Sequence, residues 1–381
     1  MNHGIIDDPP PAEMLGDDPL EQRRTHLAVP HAFRVYHDDR PAPAHAKARC
    51  FPALDARRTE QESLTLEQSG KHRVQLAAAP VGRAEATSTH QDVSRVRFHD
   101  ERVSVDARED SVMRNTIRID DLVLDSAHPA QASRPPILMA HGIMGGAWYF
   151  AKWLEFFAAR GHPSYALNLR GHHGSRPVAN MGKVSVMDYV TDMRDAARGV
   201  AQRHDGARII LVGHSMGGLI AQKAAESLAP EALVLLSSAP PRGILLFSLP
   251  LFLRQTKHVP AMLASRPVVA DPADNTALFL NRLSPAEALE LAPRWTSTSG
   301  RAGREMTLGS IAVDADRITC PVIVVAGADD IAIPPRIQRK IARKYDAQFR
   351  VYDGHAHFLI WEPGWERIAD DVAAWLEAKA A

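Results

Sequence analysis

Residues 209–220 read Ile-Ile-Leu-Val-Gly-His-Ser-Met-Gly-Gly-Leu-Ile. The first four are the residues of a buried strand, and after the glycines come Leu-Ile-Ala-Gln-Lys-Ala-Ala-Glu, which favour a helix. Between them stands Gly213-His214-Ser215-Met216-Gly217, a Gly-x-Ser-x-Gly pattern on a strand-to-helix turn. A turn that sharp holds its central residue in a strained conformation, and small neighbours spare it side-chain clashes. Ser215 is therefore expected to be displayed for chemistry, with the Met216 amide pointing at the same place. An ordinary glycine turn is the plainer reading, and the flanking strand and helix argue against it.

Working outward, apolar strand-like runs alternate with helical stretches after Pro135-Pro136. The expected strands are Ile137–Ala140, Ser164–Leu169, Arg208–Val212, Leu233–Ser237, Val322–Ala326 and Gln348–Tyr352. The expected helices are Ala147–Arg160, Val186–His204, Gly217–Leu228, Pro335–Tyr345 and Gly364–Ala380. Such alternation makes an α/β fold with a mostly parallel central sheet and helices on both faces, whose ligands sit at the carboxyl ends of the strands. Upstream, Val93–Val105 and Thr116–Leu124 alternate apolar with polar residues and read as an opening antiparallel hairpin. The core is thus assigned to 92–240 and 315–381. Residues 241–314 show no convincing strand and several short helical patterns, and are expected to form a helical cap inserted after the sixth strand. Residues 1–91 mix Pro, Ala, Arg, Asp and His without periodicity, which predicts a disordered or loosely packed extension.

Composition narrows the functional classes. The 381 residues are 45% hydrophobic, enough for one large core, and 45 Lys plus Arg balance 45 Asp plus Glu. That balance argues against nucleic acid or an anionic surface as a global partner, although a local patch remains compatible with it. Cys50 and Cys320 alone make no disulfide framework. The N-terminus lacks the basic and then apolar segments of an export signal, so a cytoplasmic location is expected. The longest apolar tract, Gly243–Leu253, is shorter than the roughly 20 residues of a membrane helix and contains Pro250. No membrane span is expected, and the tract itself is expected to be buried under the cap. Nothing in the sequence sets the oligomeric state.

A serine needs a base held by an acid, and donors for the developing oxyanion. His141-Gly142-Ile143-Met144-Gly145-Gly146 follows a strand and offers the Ile143 amide as a second donor beside that of Met216. Downstream, Pro321-Val-Ile-Val-Val-Ala-Gly-Ala-Asp-Asp ends a strand with Asp329 and Asp330, either of which could orient a histidine. After the last strand, Asp353-Gly-His-Ala-His-Phe offers His355 and His357.

These residues, in the order serine, acid, histidine, resemble the α/β-hydrolase fold family over roughly Asn115 to the C-terminus. In that family the acid stands three residues after the strand-ending glycine, which implies Asp330. The histidine often precedes an acidic residue by five positions, and Glu362 by that register implies His357, although a preceding glycine would imply His355. The resemblance puts His141, Gly142 and His214 beside the substrate. It also covers Asn168-Leu-Arg-Gly-His-His-Gly-Ser175, where His173 is an extra residue within the family pattern, and Met187–Asp192, the start of the helix leading to the nucleophile strand. Adjacent His172 and His173 make a poor metal site, so neither metal nor cofactor is expected. The implied activity is a serine hydrolase of the carboxylesterase or lipase kind, cleaving an ester or lactone with an apolar acyl part, a small molecule, through an acyl-enzyme. The same triad could serve carbon-carbon bond hydrolysis, thioester cleavage or acyl transfer, and a non-catalytic ligand receptor is the remaining alternative.

Overall fold

A computed structural model of the chain describes residues 112–380. The expected extension 1–91 and the strand 93–105 lie outside them.

The alternation of apolar runs produces strands and helices in chain order. Strands β1 (Met113–Ile119), β2 (Leu122–His128) and β3 (Ile137–Ala140) precede helix α1 (Ala151–Ala158), then β4 (Ser164–Asn168) and α2 (Val186–Arg203). Strand β5 (Ile210–His214), α3 (Met216–Leu228) and β6 (Ala232–Leu236) form the centre. An insertion follows with α4 (Leu249–Gln255), α5 (Val259–Leu263), β7 (Pro267–Val268), α6 (Pro272–Phe279), α7 (Pro285–Leu291), β8 (Thr298–Ser299) and α8 (Gly300–Thr307). The chain closes with β9 (Val322–Gly327), α9 (Pro335–Lys344), β10 (Gln348–Tyr352) and α10 (Trp365–Ala380).

The large sheet runs β1-β2-β4-β3-β5-β6-β9-β10. β2 is antiparallel to β1 and to β4, and every pairing from β4 to β10 is parallel. β3, β4, β5, β6 and β9 are buried along their whole length, as a parallel sheet covered on both faces requires. Helix α2 starts at a reciprocal capping box between Ser185 and Asp188, which satisfies amides that the first turn would leave open.

Three sequence expectations need correction. The tract Thr116–Leu124 is not one strand but the tip of the β1–β2 hairpin, because Asp120 turns the chain with φ of 52°. The insertion holds an antiparallel pair of two-residue strands, Pro267 to Ser299 and Val268 to Thr298, too short for any periodicity to announce. The apolar tract 243–253 is not buried: among its residues Leu245, Phe247, Leu249, Phe252 and Leu253 are all exposed.

Candidate active site

The carboxyl end of β5 and the start of α3 meet at Ser215, whose φ of 55° and ψ of −120° lie where a side chain is strained. Such a conformation costs ~1–3 kcal/mol and persists only when its surroundings enforce it. Here the Ser215 N–H donates to the Leu236 carbonyl (3.0 Å), while its own carbonyl accepts from Gly218 (3.0 Å) and Ala239 (2.8 Å). The flanking glycines are steric requirements. A Cβ at Gly213 would lie 2.4 Å from the Gly217 carbonyl oxygen, and one at Gly217 would lie 2.1 Å from that of Ala140. Met216 heads α3, so its N–H has no acceptor within the helix.

The loop after β3 is fastened one carbonyl at a time. His141 Nδ1–H donates to the Gly142 carbonyl (2.7 Å), the Tyr149 hydroxyl to that of Ile143 (3.1 Å), and the Thr296 N–H to that of Met144 (2.9 Å). Three successive carbonyls of the loop, those of Gly142, Ile143 and Met144, are thus held by hydrogen bonds. Gly142 is pressed against the nucleophile: a Cβ there would stand 3.0 Å from Ser215 Cβ and 3.4 Å from its Oγ.

The two sequence-ambiguous pairs are separated in space. Asp330 is buried, its Oδ2 accepts from His357 Nδ1 (2.9 Å), and its Oδ1 accepts from the amides of Ala332 (2.9 Å) and Ile333 (2.8 Å). Asp329 faces outward and pairs with Arg282. His357 lines one cavity with Ser215, whereas His355 lies 3.3 Å from Glu362 without hydrogen-bond alignment. Glu362 explains why an acid five residues on marks the histidine loop. Its buried carboxylate accepts from the amides of Ala356 (2.7 Å) and Phe358 (3.1 Å), the two neighbours of His357.

His214 lines the same cavity, is fully buried, and donates Nε2–H to the His357 carbonyl (2.8 Å). Burial, with His357 alongside, pushes its pKa down to about 3, so the ring is neutral. His141, expected beside the substrate, instead lies outside the cavity lining. Both of its nitrogens are used on backbone, since Nε2 accepts from the Leu169 N–H (3.2 Å). Arg170 and Asp192, from the two outlying resembling segments, form a bidentate pair (2.7 to 3.0 Å) that Arg176 joins (2.9 Å). His172 is buried, donates to the Arg170 carbonyl (2.9 Å), and has its pKa lowered to about 4 by burial. The additional His173 adopts a φ of 45°, and its ring touches Gly146 of the fastened loop. Among the described residues no group of three or more His, Cys, Asp or Glu could hold a metal ion.

The cavity is lined by Gly142, Ile143, Tyr149, His214, Ser215, Phe279, Trp295, His357 and Phe358. Phe279 and Trp295 come from the insertion and close it to about 10 Å³ of free space. These two, with Tyr149 and Phe358, are the lining residues that sequence reading missed. Phe279 meets His357, and Trp295 meets Tyr149, from far along the chain, and Trp295 shows no local signal beyond being aromatic.

The family model described as serine aminopeptidase, S33, matches residues 131–364, more than half of the chain. A monoacylglycerol lipase of Mycolicibacterium smegmatis is 26% identical over 259 residues, covering 67% of this chain and 92% of that protein. A soluble variant of Saccharomyces cerevisiae monoglyceride lipase, solved with a substrate analogue, superposes with a TM-score of 0.56 at 16% identity, covering 70% and 96% of the two chains. The 2-hydroxy-6-oxo-6-phenylhexa-2,4-dienoate hydrolase of a Rhodococcus strain does so with 0.52 at 14% identity, covering 68% and 97%. At these identities the two solved structures share the fold with this chain.

Proposed function

The chain belongs to the serine aminopeptidase S33 family of α/β-hydrolases, and from that premise we propose that it is a serine hydrolase of carboxylic esters with an apolar acyl part. The observation that carries this reading is the hydrogen bond from His357 Nδ1 to the buried, doubly anchored Asp330, in a loop that brings His357 to the cavity of Ser215. Ser215 Oγ attacks the ester carbonyl as His357 Nε2 takes its proton and then delivers it to the departing alcohol. Asp330 keeps the His357 proton on Nδ1 and stabilises the imidazolium. The amides of Ile143 and Met216 receive the oxyanion, a contribution of ~3–4 kcal/mol per donor in comparable sites. A water molecule, activated by His357, then releases the acid.

The apolar acyl part follows from the lining. Phe279, Trp295, Phe358 and Ile143 leave little polar surface around Ser215, and apolar walls favour substrates that lose little hydration. The insertion at 241–314 acts in this reading as the cap that supplies two of those walls. The name of the M. smegmatis relative, a monoacylglycerol lipase, agrees with such a substrate.

The test is labelling with a small fluorophosphonate, the adduct located by mass spectrometry, alongside hydrolysis of p-nitrophenyl esters from acetate to decanoate. The adduct is expected on Ser215, lost in Ser215→Ala and His357→Ala and kept in His355→Ala. Well-folded protein that takes no label and cleaves no ester of the series would end the proposal.

A further inference from the structure

Helices α4 and α5 are joined by a 3-10 turn at Thr256–His258, so residues 249–263 follow one nearly continuous helical path. Burial along it is periodic. Leu251, Gln255, His258 and Met262 are half-buried, at spacings of three and four, and form the face turned to the protein. The other face carries Leu249, Phe252, Leu253, Val259 and Leu263, from 43% to 69% exposed. An ordinary surface helix does the reverse, placing its large apolar side chains inward and polar ones in water. Just upstream, Leu245 and Phe247 are exposed as well. An apolar surface this continuous marks a place where something other than water belongs.

The charge around it selects the occupant. Residues 232–270 contain Arg242, Arg254, Lys257 and Arg266 and no Asp or Glu, and all four cations are exposed. The acidic partners of Arg254 and Lys257 stand outside this stretch, at Asp271 and Asp274. Counting those two aspartates, residues 232–274 carry four Lys or Arg against two Asp, so this exposed apolar face of a chain with no net charge has a local excess of positive charge beside it. Cations flanking an apolar helical face suit the headgroup region of an anionic bilayer, where the apolar side chains enter the acyl boundary. The surface also borders the loop that carries Asp330. Phe247, Leu249 and Pro250 help to line an open groove of about 740 Å³ together with Asp330 and Ile331.

We propose that residues 245–263 dock the protein on an anionic lipid surface, laying α4 and α5 in its interface without crossing it. This inference concerns where the enzyme works and stands apart from the assignment of its chemistry.

Co-sedimentation of the full chain with sucrose-loaded vesicles tests it, using phosphatidylcholine alone and phosphatidylcholine mixed with phosphatidylglycerol. Wild type is expected to pellet with the mixed vesicles and to be released by salt. Phe252→Ser combined with Leu253→Ser is expected to weaken that partitioning by on the order of a hundredfold, about tenfold for each side chain withdrawn from lipid. Leu289→Ser, on the exposed side of α7 at 73% exposure, is the control and should bind as wild type. Both variants should keep the wild-type circular dichroism spectrum, since the altered side chains are exposed. Three results would each overturn the proposal: no pelleting of wild type with the mixed vesicles, equal pelleting of the double variant, or a wild-type dimer in light scattering that the double variant dissolves. Sedimentation needs no turnover, so an enzyme inactive on every ester could still pass this test, and an active one could fail it.

Discussion

Asp330→Asn isolates one atom of the proposed triad, and the surroundings dictate how the new side chain must lie. Oδ1 of Asp330 accepts two backbone amides, from Ala332 and Ile333. An asparagine can satisfy them only with its carbonyl oxygen in that position, which turns its NH₂ toward His357 Nδ1. Facing a donor, Nδ1 must become the acceptor, and the imidazole proton moves to Nε2, the atom needed to receive the proton of Ser215. Such a tautomer change in a serine triad costs about 10⁴ in kcat, equivalent to ~5.5 kcal/mol of barrier. Stability should fall by less, because three neutral hydrogen bonds replace three charge-assisted ones, a difference of ~1 kcal/mol each. The assay is steady-state hydrolysis of a short p-nitrophenyl ester, with a thermal melt on the same sample. Asp329→Asn is the companion variant. It removes an ion pair whose side chains are 45% and 40% exposed, worth at most ~1 kcal/mol, and should leave kcat unaltered. A Asp330→Asn enzyme within about tenfold of wild type, or an Asp329→Asn enzyme that is silent, would refute the assignment of the acid.

Two further outcomes rest on other parts of the structure. Gly217→Ala should lower stability by ~3 kcal/mol or more, since its Cβ would stand 2.1 Å from the Ala140 carbonyl oxygen and neither backbone can yield; an unchanged melting midpoint would show that the elbow has slack. Buried His172 and His214 have folded-state pKa values of about 4 and about 3, below the ~6.5 of the unfolded chain. The unfolded state therefore binds more protons below pH ~6.5, and stability present above that pH is lost as pH falls toward 4, at up to ~1.4 kcal/mol per pH unit for each ring. Urea midpoints at pH 7, 6 and 5 should decline accordingly, and a flat series would mean that the rings ionise without cost.

The sequence announced the frame because the frame is periodic. Apolar runs four to six residues long are buried on both faces of the sheet, and β3 and β10 begin and end where their composition says. The nucleophile turn is legible because its whole pattern lies in five consecutive residues, although only Gly213 answers a clash within them and Gly217 answers one with the distant Ala140. The acid and the histidine became legible only through resemblance, and the structure supplies the physics behind those registers. Two free amides capture Oδ1 of Asp330, and Glu362 ties the backbone on both sides of His357. What remained hidden is pairing at long range. Nothing local says that Arg170 meets Asp192, or that Thr296 reaches back to the carbonyl of Met144. Direction was hidden too: the tract 243–253 shows its apolar character plainly, but composition cannot tell a side chain that faces the core from one that faces out.

The small size of the cavity around Ser215 has a consequence for how the enzyme would meet its substrate. Free space of about 10 Å³ accommodates roughly one water-sized sphere and no ester. Capture of an ester would begin from a conformation in which a wall has withdrawn, and Phe279 and Trp295 are the walls supplied by the insertion. If that conformation is populated to a fraction f, the apparent Kd is the intrinsic one divided by f. Trp295 is followed by Thr296, whose amide holds the Met144 carbonyl, so a withdrawal that carried the backbone along would also loosen a fastening of the loop after β3. Admission and readiness would then be mechanically opposed: the site would be open when that loop is least fixed, and closing on the substrate would restore the proposed geometry.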